Sequence, residues 1–453
     1  MNQDQDIRDR ITAEHIAFVD LRAVDLVGRL RHLTLPASRV TSHGLNGGVG
    51  FDASSYGYRP VSGSDLVLVP DPSTAFLETW GEDRVLAMMA DIGEADTGTP
   101  VADAPRQIAR RAEAYLVEAG SADTAIVSPE FEFYVFREGG ADRECVVPVD
   151  GEGTTGRHAL REAPSVGYHA PIGRDPLFAL RNRMAAAIEA AGIPVKYHHH
   201  EVGRLGQHEI EVGFAPLLRM ADATLIVKEI VRRVAREAGL AATFLPKPFY
   251  GEPGNGMHVH QFLGRGGVNL FAASRRGELS EMALCYVGGI LTHGRSLMAL
   301  TNPSTNSYRR LVPGYEAPTH FVCGVADRGA AIRVPAYAPV DMTRIELRTI
   351  DATCNPYLAY AAILLAGLDG IARNLNAVRL GLGPDGAPSP HGKEAPRSLP
   401  EALVALADDH DYLLAGGAFS EGFVRQWIKR KETEAGAVAC RPHPHEFSLY
   451  FDL

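Results

Sequence analysis

Cysteine is scarce in this sequence, and its spacing excludes two kinds of scaffold. Five cysteines are spread over 453 residues, at positions 145, 285, 323, 354 and 440, with no CxxC pair. Disulfide frameworks and thiolate zinc sites need paired, closely spaced cysteines. The polar, acidic start MNQDQDIRDR also lacks the apolar core of a signal peptide. We therefore expect a cytoplasmic protein with reduced, structural thiols.

Long apolar runs and basic runs are also missing. The longest apolar stretch, Tyr357 to Leu368, is shorter than the roughly 20 residues that a membrane-spanning helix needs. It predicts a buried helix that begins at Asn355-Pro356 and ends near Asp369-Gly370. The net charge of −10 and the absence of Lys/Arg runs exclude a general nucleic-acid binder. We expect neither a membrane nor a nucleic-acid partner, and anionic substrates would need a local group of arginines.

The composition is that of an ordinary globular protein. Hydrophobic residues make up 45% and charged residues 22% of the chain, whose length suggests more than one domain. Up to about residue 100, short strand-like runs predict a compact, β-rich first domain. Asp103-Ala104-Pro105 then predicts a helix that is capped by Asp103 and ends near Gly120.

After this point, predicted strands alternate with predicted helices. Helices are expected near residues 176–192, 221–238, 280–300, 356–374, 399–414 and 420–433. Two polar or Gly/Pro-rich stretches, 137–167 and 378–398, predict irregular surface loops. Strands that carry acidic pairs between helices predict an α+β domain with a curved antiparallel sheet.

Four predicted strands carry charged or imidazole side chains at alternate positions. In SPEFEFYVF, Glu130 and Glu132 share one face, because successive side chains of a strand point to opposite faces. The same alternation recurs in three further sets, His258 with His260, Glu209 with Glu211, and Arg344 with Glu346 and Arg348. For any single set, a half-exposed strand, or a core histidine bonded to a carbonyl group, is the better explanation. Four sets together indicate one shared site.

These residue types indicate divalent metal ions and phosphate chemistry. Neighbouring carboxylates in an apolar strand repel each other and lose hydration, which is costly unless a cation lies between them. Carboxylates with an occasional imidazole suit Mg²⁺ or Mn²⁺, and nearby arginines suit phosphate and carboxylate groups. Positioning and charge neutralisation of this kind provide most of the catalysis in phosphoryl transfer.

A series of motifs from about residue 16 to the C-terminus resembles the bacterial type of the glutamine synthetase family. The motifs are FVDLR, FDASS, SDLVLVPDPST, SPEFEF, HHEVGRLGQHE, TFLPKP, GNGMHVH, TNPSTNSYRRLVPGYEAP, RIELR, NPYLAYAAILLAGLDGI and RPHPHEFSLYFDL. The resemblance implies an ATP-dependent carbon–nitrogen ligase. Such an enzyme converts the γ-carboxylate of glutamate to an acyl phosphate and then forms an amide with ammonium or a small amine.

The resemblance also implies the architecture. It predicts a small N-terminal β-grasp domain over residues 1–102 and a catalytic domain over residues 103–453. The catalytic sheet of the family is a curved half-barrel flanked by helices. Family subunits form two stacked hexameric rings with active sites between neighbours, so the resemblance implies a homo-oligomer, a dodecamer.

Two divalent ions, Mg²⁺ or Mn²⁺, are implied for each active site. The ligands that the resemblance assigns to the first ion are Glu132, Glu201 and Glu209. Those of the second ion, which in the family bridges to the ATP phosphates, are Glu130, His258 and Glu346.

The remaining roles follow from the same motifs. The residues matched to ATP contacts are His260, Arg333 and Arg344, and those matched to glutamate contacts are Gly254, Arg310 and Arg348. The ammonium or amine site is matched by Asp52 of a neighbouring subunit with Ser55 and Tyr168. The residues matched to catalysis are Asp52, Arg328, which would stabilise the transferred phosphoryl group, and Glu316, which would close the site and take a proton from the nucleophile.

Several positions depart from the family pattern. Pro253 replaces an Asn and removes one backbone N–H near the glutamate site, Phe262 replaces a Ser, and Lys196 replaces a nucleotide-contacting Glu. The segment YGYRPVSG after FDASS resembles the branch that ligates small primary amines, such as the γ-glutamylmethylamide and γ-glutamylethanolamide synthetases. We therefore favour a small primary amine slightly over ammonium as the nucleophile.

Two alternatives stay open at this point. Ordinary glutamine synthetase activity is supported by Asp52, Ser55, Tyr168 and Glu316, which are what ammonium needs. A non-catalytic assembly protein of this family is more remote, because such a protein has no reason to keep all six metal ligands. The loop near residue 390 has no Tyr, so adenylylation of the usual tyrosine is not expected.

Overall fold

The N-terminal part of the chain folds around a six-stranded sheet. The computed structural model describes residues 3–43, 47–78, 81, 83–138, 146–148, 167–384 and 392–452. The first strands are β1 (Phe18–Val24), β2 (Leu30–Pro36), β3 (Val49–Asp52), β4 (Asp65–Pro70), β5 (Phe76–Glu78) and β6 (Val85–Glu94). Their order is β2-β1-β6-β4-β3, with β5 beside β6, and only β1 and β6 run parallel among these pairs.

Two helices cover this sheet that the sequence analysis did not predict. They are α1 (Gln3–Ala13) and α2 (Ala37–His43). Ile7 and Ile11 of α1 and Val40 of α2 are buried with Leu21 and Leu66 in a small hydrophobic core of their own. The polar composition of α1 conceals this apolar face, because only two isoleucines carry it.

The larger part of the chain is organised by an eleven-stranded, curved half-barrel sheet. Its strands are β7 (Thr124–Glu138), β8 (Val146–Pro148), β9 (Val195–His200), β10 (Gln207–Val212), β11 (Ala215–Pro216), β12 (Ala241–Thr243), β13 (Val259–Arg265), β14 (Val268–Asn269), β15 (Cys323–Val325), β16 (Ile332–Val334) and β17 (Ile345–Leu347). The main path is β15-β16-β17-β13-β7-β10-β9. Every named pair is antiparallel except β15 with β16. The predicted α+β fold with a curved antiparallel sheet is confirmed.

Ten helices of the described chain flank this sheet or extend from it. They are α3 (Pro105–Glu118), α4 (Phe178–Ala190), α5 (Leu217–Glu237), α6 (Glu281–Thr292), α7 (Gly294–Thr301), α8 (Ser307–Arg310), α9 (Pro356–Ala372), α10 (Leu399–Asp408), α11 (Glu421–Ala439) and α12 (Pro444–Tyr450). The predicted buried helix is α9, whose start is capped by the Asn355 side chain accepting from the Tyr357 N–H. In the described part of the chain, no helix is long and apolar enough to cross a membrane.

Two local predictions are wrong, each because of a contact between distant segments. Asp103 does not cap α3, which begins after Ala104 without a side-chain cap; the Asp103 carboxylate accepts from the Ser420 hydroxyl instead. The helix predicted over 280–300 breaks at His293, whose ring nitrogens lie 2.8 Å from Asp369 and 2.9 Å from Asp409. Pairing with two carboxylates fixes the imidazole at this break.

The predicted loops fall mostly where the structure gives no description. The described residues leave out parts of both loops, namely 139–145 and 149–166 of the first and 385–391 of the second. Strand β7 extends into the first of these predicted loops as far as Glu138 and pairs there with β8.

One buried arginine of α3 links the N-terminal sheet to helix α5. Arg106 donates to Asp222 of α5 at 2.9–3.0 Å and, across the junction, to Asp71 and Asp91 at 2.8 Å. Its side chain is only 4% exposed. Burial raises the pKa of Asp71, but its hydrogen bonds with Ser73 and Arg106 outweigh this and lower that pKa to about 2. The Asp71 carboxylate therefore stays ionised beside the buried guanidinium of Arg106.

Replacing Arg106 with Met should destabilise the protein by about 3–5 kcal/mol, because it leaves buried carboxylates without their cation. Arg110→Met is the matched control, since Arg110 contacts Asp71 and Asp91 with a side chain that is 38% exposed. An exposed pair contributes about 1 kcal/mol or less. Denaturant unfolding of both variants tests this difference, and equal shifts would contradict the role of Arg106.

Candidate active site

Strand register brings the alternating polar residues of four strands together. Strands β7 and β10 place Glu132 opposite Glu209 and Glu130 opposite Glu211. On the other side of β7, β13 pairs with β17 so that His260 lies opposite Glu346. The polar side chains at alternate positions of these strands therefore lie close together on the sheet, as the sequence analysis expected.

A cavity of about 860 Å³ opens beside this sheet. Thirteen of the predicted site residues line it: Glu130, Glu132, Tyr168, Glu201, Glu209, Gly254, His258, Arg310, Glu316, Arg328, Arg333, Glu346 and Arg348. His260 and Arg344 do not line it and are buried, and Asp52 and Ser55 lie in the N-terminal domain. Most of the predicted site is thus assembled within one chain.

Glu130 is held between two imidazoles. Its two oxygens lie 3.0 Å from His258 Nδ1 and 2.7 Å from His260 Nε2. Burial would raise the pKa of Glu130, but His260 and His258 hold it well below the usual range of a carboxyl group. Glu130, His258 and Glu346 offer ligand atoms within 4.8 Å of one another. This is the set predicted for the second ion.

Glu346 is fully buried and bonded to two arginines. Arg333 and Arg348 each donate to one of its oxygens, from β16 and from the residue that follows β17. Burial and Glu130 raise the pKa of Glu346, but the charges of His260, Arg348 and His258 lower it overall. The protein itself therefore supplies the cations that keep this half of the site ionised.

The other half of the site has less compensation, a single imidazole. Glu201 and Glu209 share a ligand set with His199, with donor atoms within 4.8 Å of one another. Burial and the charges of Glu132 and Glu209 raise the pKa of Glu201 to about 8. Burial, Glu130 and Glu132 raise the pKa of Glu209 well above its usual range. A bound cation would relieve this repulsion.

His199 belongs to this set although the sequence analysis gave it no role. Its ring nitrogens lie 3.6 Å from a Glu209 oxygen and 3.9 Å from a Glu201 oxygen. Glu132, predicted for the same ion, lies in the cavity wall but outside this set, with one oxygen accepting the Gly256 N–H at 2.6 Å. The sequence signal that could have revealed this role is the two-residue spacing between His199 in β9 and Glu201 just after that strand.

Both donor sets fit divalent ions by their chemistry. Each combines carboxylate oxygens with one imidazole, which suits Mg²⁺ or Mn²⁺. A third group, Glu130, Glu211 and His260, also has ligand atoms within 4.8 Å of one another, but its Glu211 is 1% exposed and bonded to Lys196, with one oxygen lacking a hydrogen-bond partner. Lys196 thus neutralises a carboxylate beside the site.

Arg310 is enclosed by two glycines and an imidazole. It donates to the Thr349 carbonyl at 3.0 Å, and its Nη2 lies 3.1 Å from His258 Nε2. A Cβ atom on Gly254 would lie 2.4 Å from the Pro246 carbonyl oxygen and 2.7 Å from Arg310. A Cβ on Gly256 would meet Arg310 and His258 at 2.6 Å. Glycine is required here because the backbone passes so close to the guanidinium.

The segment that ends in Glu316 forms one rim of the cavity. Glu316 has a positive φ of 53°, and its carbonyl accepts from Arg348 at 3.4 Å. Burial lowers the pKa of Arg328, but Glu316 and Tyr168 raise it overall. The two predicted catalytic residues and Tyr168 all line the cavity.

Arg344 and His260 lie behind the cavity wall. Arg344 donates to the Tyr337 hydroxyl at 3.3 Å and its guanidinium stands 5.4 Å from the centre of that ring. His260 is fully buried, and its Nδ1 has no hydrogen-bond partner. His260 contacts the carboxylates through Glu130, whereas Arg344 contacts Tyr337 of the cavity lining.

Asp52 and Ser55 lie at the end of β3, exposed on the N-terminal domain. The Asp52 carboxylate accepts from the Ser54 N–H and hydroxyl at 2.9 and 2.7 Å and from the Ser55 hydroxyl at 2.9 Å. These bonds lower the pKa of Asp52 to about 2. An ionised, preorganised carboxylate is therefore available on the surface rather than in the cavity of its own chain.

The contrast between the two halves gives a stability test in the absence of metal. Glu201→Gln should raise the melting temperature of the metal-free protein, because it removes one of several repelling charges. Glu346→Gln should lower it by the equivalent of about 3–5 kcal/mol, because Arg333 and Arg348 lose their partner.

Both variants should bind Mn²⁺ at least ~10-fold more weakly than the unaltered protein, in equilibrium dialysis. Glu432→Gln, an exposed position on α11, is the control for a lost surface charge. Unchanged Mn²⁺ affinity in both site variants would contradict the assignment of these donor sets.

Comparison with known proteins shows the family. Residues 102–450 match the family described as Glutamine synthetase, catalytic domain, and residues 15–95 match Glutamine synthetase, beta-Grasp domain. Glutamine synthetase of Aquifex aeolicus (strain VF5) is 41% identical over 471 residues, which cover 99% of each chain. That of Escherichia coli (strain K12) is 40% identical over 461 residues, covering 97% of this chain and 98% of the relative.

Solved structures agree on the fold. Plasmodium falciparum glutamine synthetase superposes with a TM-score of 0.87 at 24% identity, over 99% of both chains. The structure of apo GmaS without ligand gives a TM-score of 0.82 at 27% identity, over 99% of this chain and 100% of the other. With two family matches and relatives at about 40% identity over nearly the whole length, the chain belongs to the glutamine synthetase family of ATP-dependent ligases.

Proposed function

We propose that this chain uses ATP to phosphorylate the γ-carboxylate of L-glutamate and then joins the γ-glutamyl group to a small primary amine. The observation that carries the proposal is one cavity lined by two divalent-ion donor sets, six arginines and the Glu316 rim. A carboxylate is a poor electrophile, so it must first be activated, and this combination of charges suits phosphoryl transfer.

The two donor sets would hold Mg²⁺ or Mn²⁺, two ions per active site. We assign Glu132, Glu201 and Glu209 to the first ion, with His199 beside them, and Glu130, His258 and Glu346 to the second. When bound, the ions neutralise phosphate oxygens of ATP and polarise the transferred group.

Arginines would bind the anionic substrates. We assign Arg333, Arg344 and His260 to ATP, and Arg310, Arg348 and the Gly254 backbone to glutamate. Arg328, at the opening beside Glu316, would stabilise the transferred phosphoryl group. Guanidinium groups suit this task because they stay charged and bind carboxylate and phosphate oxygens in pairs.

The nucleophile must lose its positive charge before it can attack. We assign Asp52, Ser55 and Tyr168 to binding the ammonium form, and Glu316 to accepting its proton. A positioned base of this kind is typically worth ~10²–10⁴-fold in rate. Because Asp52 is exposed and does not line the cavity of its own chain, a neighbouring copy would supply it.

The segment after Asp52 supports a small primary amine as nucleophile. The Tyr58 hydroxyl donates to the Val24 carbonyl at 2.7 Å, and the Tyr56 ring packs 4.6 Å from that of Phe51. These contacts fix the loop that carries Asp52. An aromatic loop beside a carboxylate suits an alkylammonium group, whose apolar part needs contact.

Ammonium is the second candidate, and a specific observation favours it. Relatives that are 40–41% identical over nearly the whole chain are named glutamine synthetase, whereas GmaS is 27% identical.

The complete donor sets argue against a non-catalytic assembly protein. In such a protein the neighbouring carboxylates would destabilise the fold and serve no function.

A homo-oligomer, a dodecamer of two hexameric rings, is part of the proposal. It is supported by Asp52 lying outside its own cavity and by the apolar residues that the C-terminal segment exposes, Phe447, Leu449, Tyr450 and Phe451. Sedimentation of the purified protein tests the subunit count.

We also propose domains over residues 1–102 and 103–453 and a cytoplasmic location.

The nucleophile is tested by amide formation with Mg²⁺, ATP and glutamate across ammonium, methylamine, ethylamine, ethanolamine and putrescine. We expect the highest kcat/KM for one of the organic amines. If ammonium is used best, the protein is an ordinary glutamine synthetase and the amine preference is wrong. Phosphate release without an amide from any of them would contradict the ligase proposal.

Asp52→Asn should raise the KM for the nucleophile about 10-fold or more and leave the KM for glutamate unchanged, because the ionised partner of the ammonium form is lost. Asp65→Asn is the matched control, since Asp65 is also exposed and lies opposite Asp52 on β4. Equal effects of the two substitutions on the nucleophile KM would contradict the role of Asp52.

A further inference from the structure

The backbone of Lys247 is fixed by one asparagine side chain. The Lys247 N–H donates to Asn306 Oδ1 at 2.7 Å, and Asn306 Nδ2 donates to the Lys247 carbonyl at 3.1 Å. Asn306 immediately precedes α8, the short helix that ends in Arg310. Lys247 is therefore tied to the segment that carries a proposed glutamate-binding arginine.

The ammonium group of Lys247 joins two further loops. It donates to the carbonyl of Glu252, whose carboxylate accepts from Arg204 at 2.7 Å. The same nitrogen lies 3.9 Å from the centre of the Tyr315 ring. One cation thus contacts both the turn that precedes Gly254 and the rim segment that ends in Glu316.

The rim segment itself is held at few points. Gly314 and Glu316 both have positive φ, 94° and 53°, and Glu316 is not a glycine, so its conformation is strained. Its carbonyl contact with Arg348 is long, at 3.4 Å. The Lys247–Tyr315 contact is the shortest cation–ring distance among the described residues. This contact and the Arg348 bond are therefore two of the contacts that connect the rim segment to the rest of the site.

We propose that Lys247 is a positioning residue that holds Tyr315 and so keeps the Glu316 carboxylate over the cavity during amide formation. This rests on the proposed function of Glu316 as proton acceptor. In that step the amine nitrogen bonds to the γ-carbonyl carbon, and the bond from that carbon to the phosphate oxygen breaks. Phosphate leaves with the electron pair, and the nitrogen's proton passes to Glu316.

Water competes for the same acyl phosphate. If water attacks in place of the amine, the products are glutamate and phosphate, so ATP is consumed without an amide. A rim segment that no longer rests on Lys247 would admit water and misplace the base together. The ratio of phosphate released to amide formed therefore reports on this contact directly.

Lys247→Met removes the cation and keeps an unbranched side chain. We expect the phosphate-to-amide ratio to rise at least twofold and amide formation to fall roughly 2- to 30-fold, the range that one cation–π contact provides. The KM values for ATP and glutamate should change little. Lys247→Arg keeps a cation beside the ring and should restore the phosphate-to-amide ratio of the unaltered protein. Lys429→Met, at an exposed position of α11, controls for the loss of a surface lysine.

Tyr315 provides an independent arm. Tyr315→Leu should uncouple the reaction as Lys247→Met does, Tyr315→Phe should not, and the double variant should be no worse than either single one. This arm carries the test if Lys247→Met fails to fold. A phosphate-to-amide ratio unchanged in Lys247→Met and Tyr315→Leu would overturn the inference while the ligase function stands. An unaltered protein that forms no amide would instead overturn the proposed function.

Discussion

Repulsion among buried carboxylates is the constraint on which this site depends. Antiparallel pairing of β7 with β10 sets Glu132 against Glu209 and Glu130 against Glu211, with all four side chains buried or half-buried. Charges in such surroundings must be paired or neutralised. The arginines and imidazoles around the cavity provide part of the positive charge that these carboxylates need, and bound ions would provide the rest.

The two halves of the site meet this constraint differently. Around Glu346 and Glu130 the chain provides two arginines and two imidazoles, which lower the pKa of both carboxyl groups. Around Glu201 and Glu209 it provides one imidazole, and the pKa of both stays raised. The carboxylates of Glu130 and Glu346 are therefore charge-balanced by the protein itself. Those of Glu201 and Glu209 depend on a bound ion for their charge balance.

The sequence predicted the strand faces because alternation is a local property. Glu130 with Glu132 and His258 with His260 could be assigned from spacing alone, and the motifs assigned the family. Long-range contacts could not be predicted in this way. The failed cap at Asp103, the helix break at His293 and the anchoring of Tyr315 by Lys247 all depend on partners far away in the chain. His199 was missed because a run of histidines has no single meaning until strand pairing fixes one ring beside two carboxylates.

Activation of the glutamate carboxylate by ATP is the step on which the proposed function rests. It is tested by following ¹⁸O from the γ-carboxylate of labelled glutamate into inorganic phosphate. We expect one labelled oxygen in phosphate for each amide formed, whichever nucleophile is used. Amide formation with unlabelled phosphate would show that the acyl phosphate does not form and that the proposed reaction is wrong.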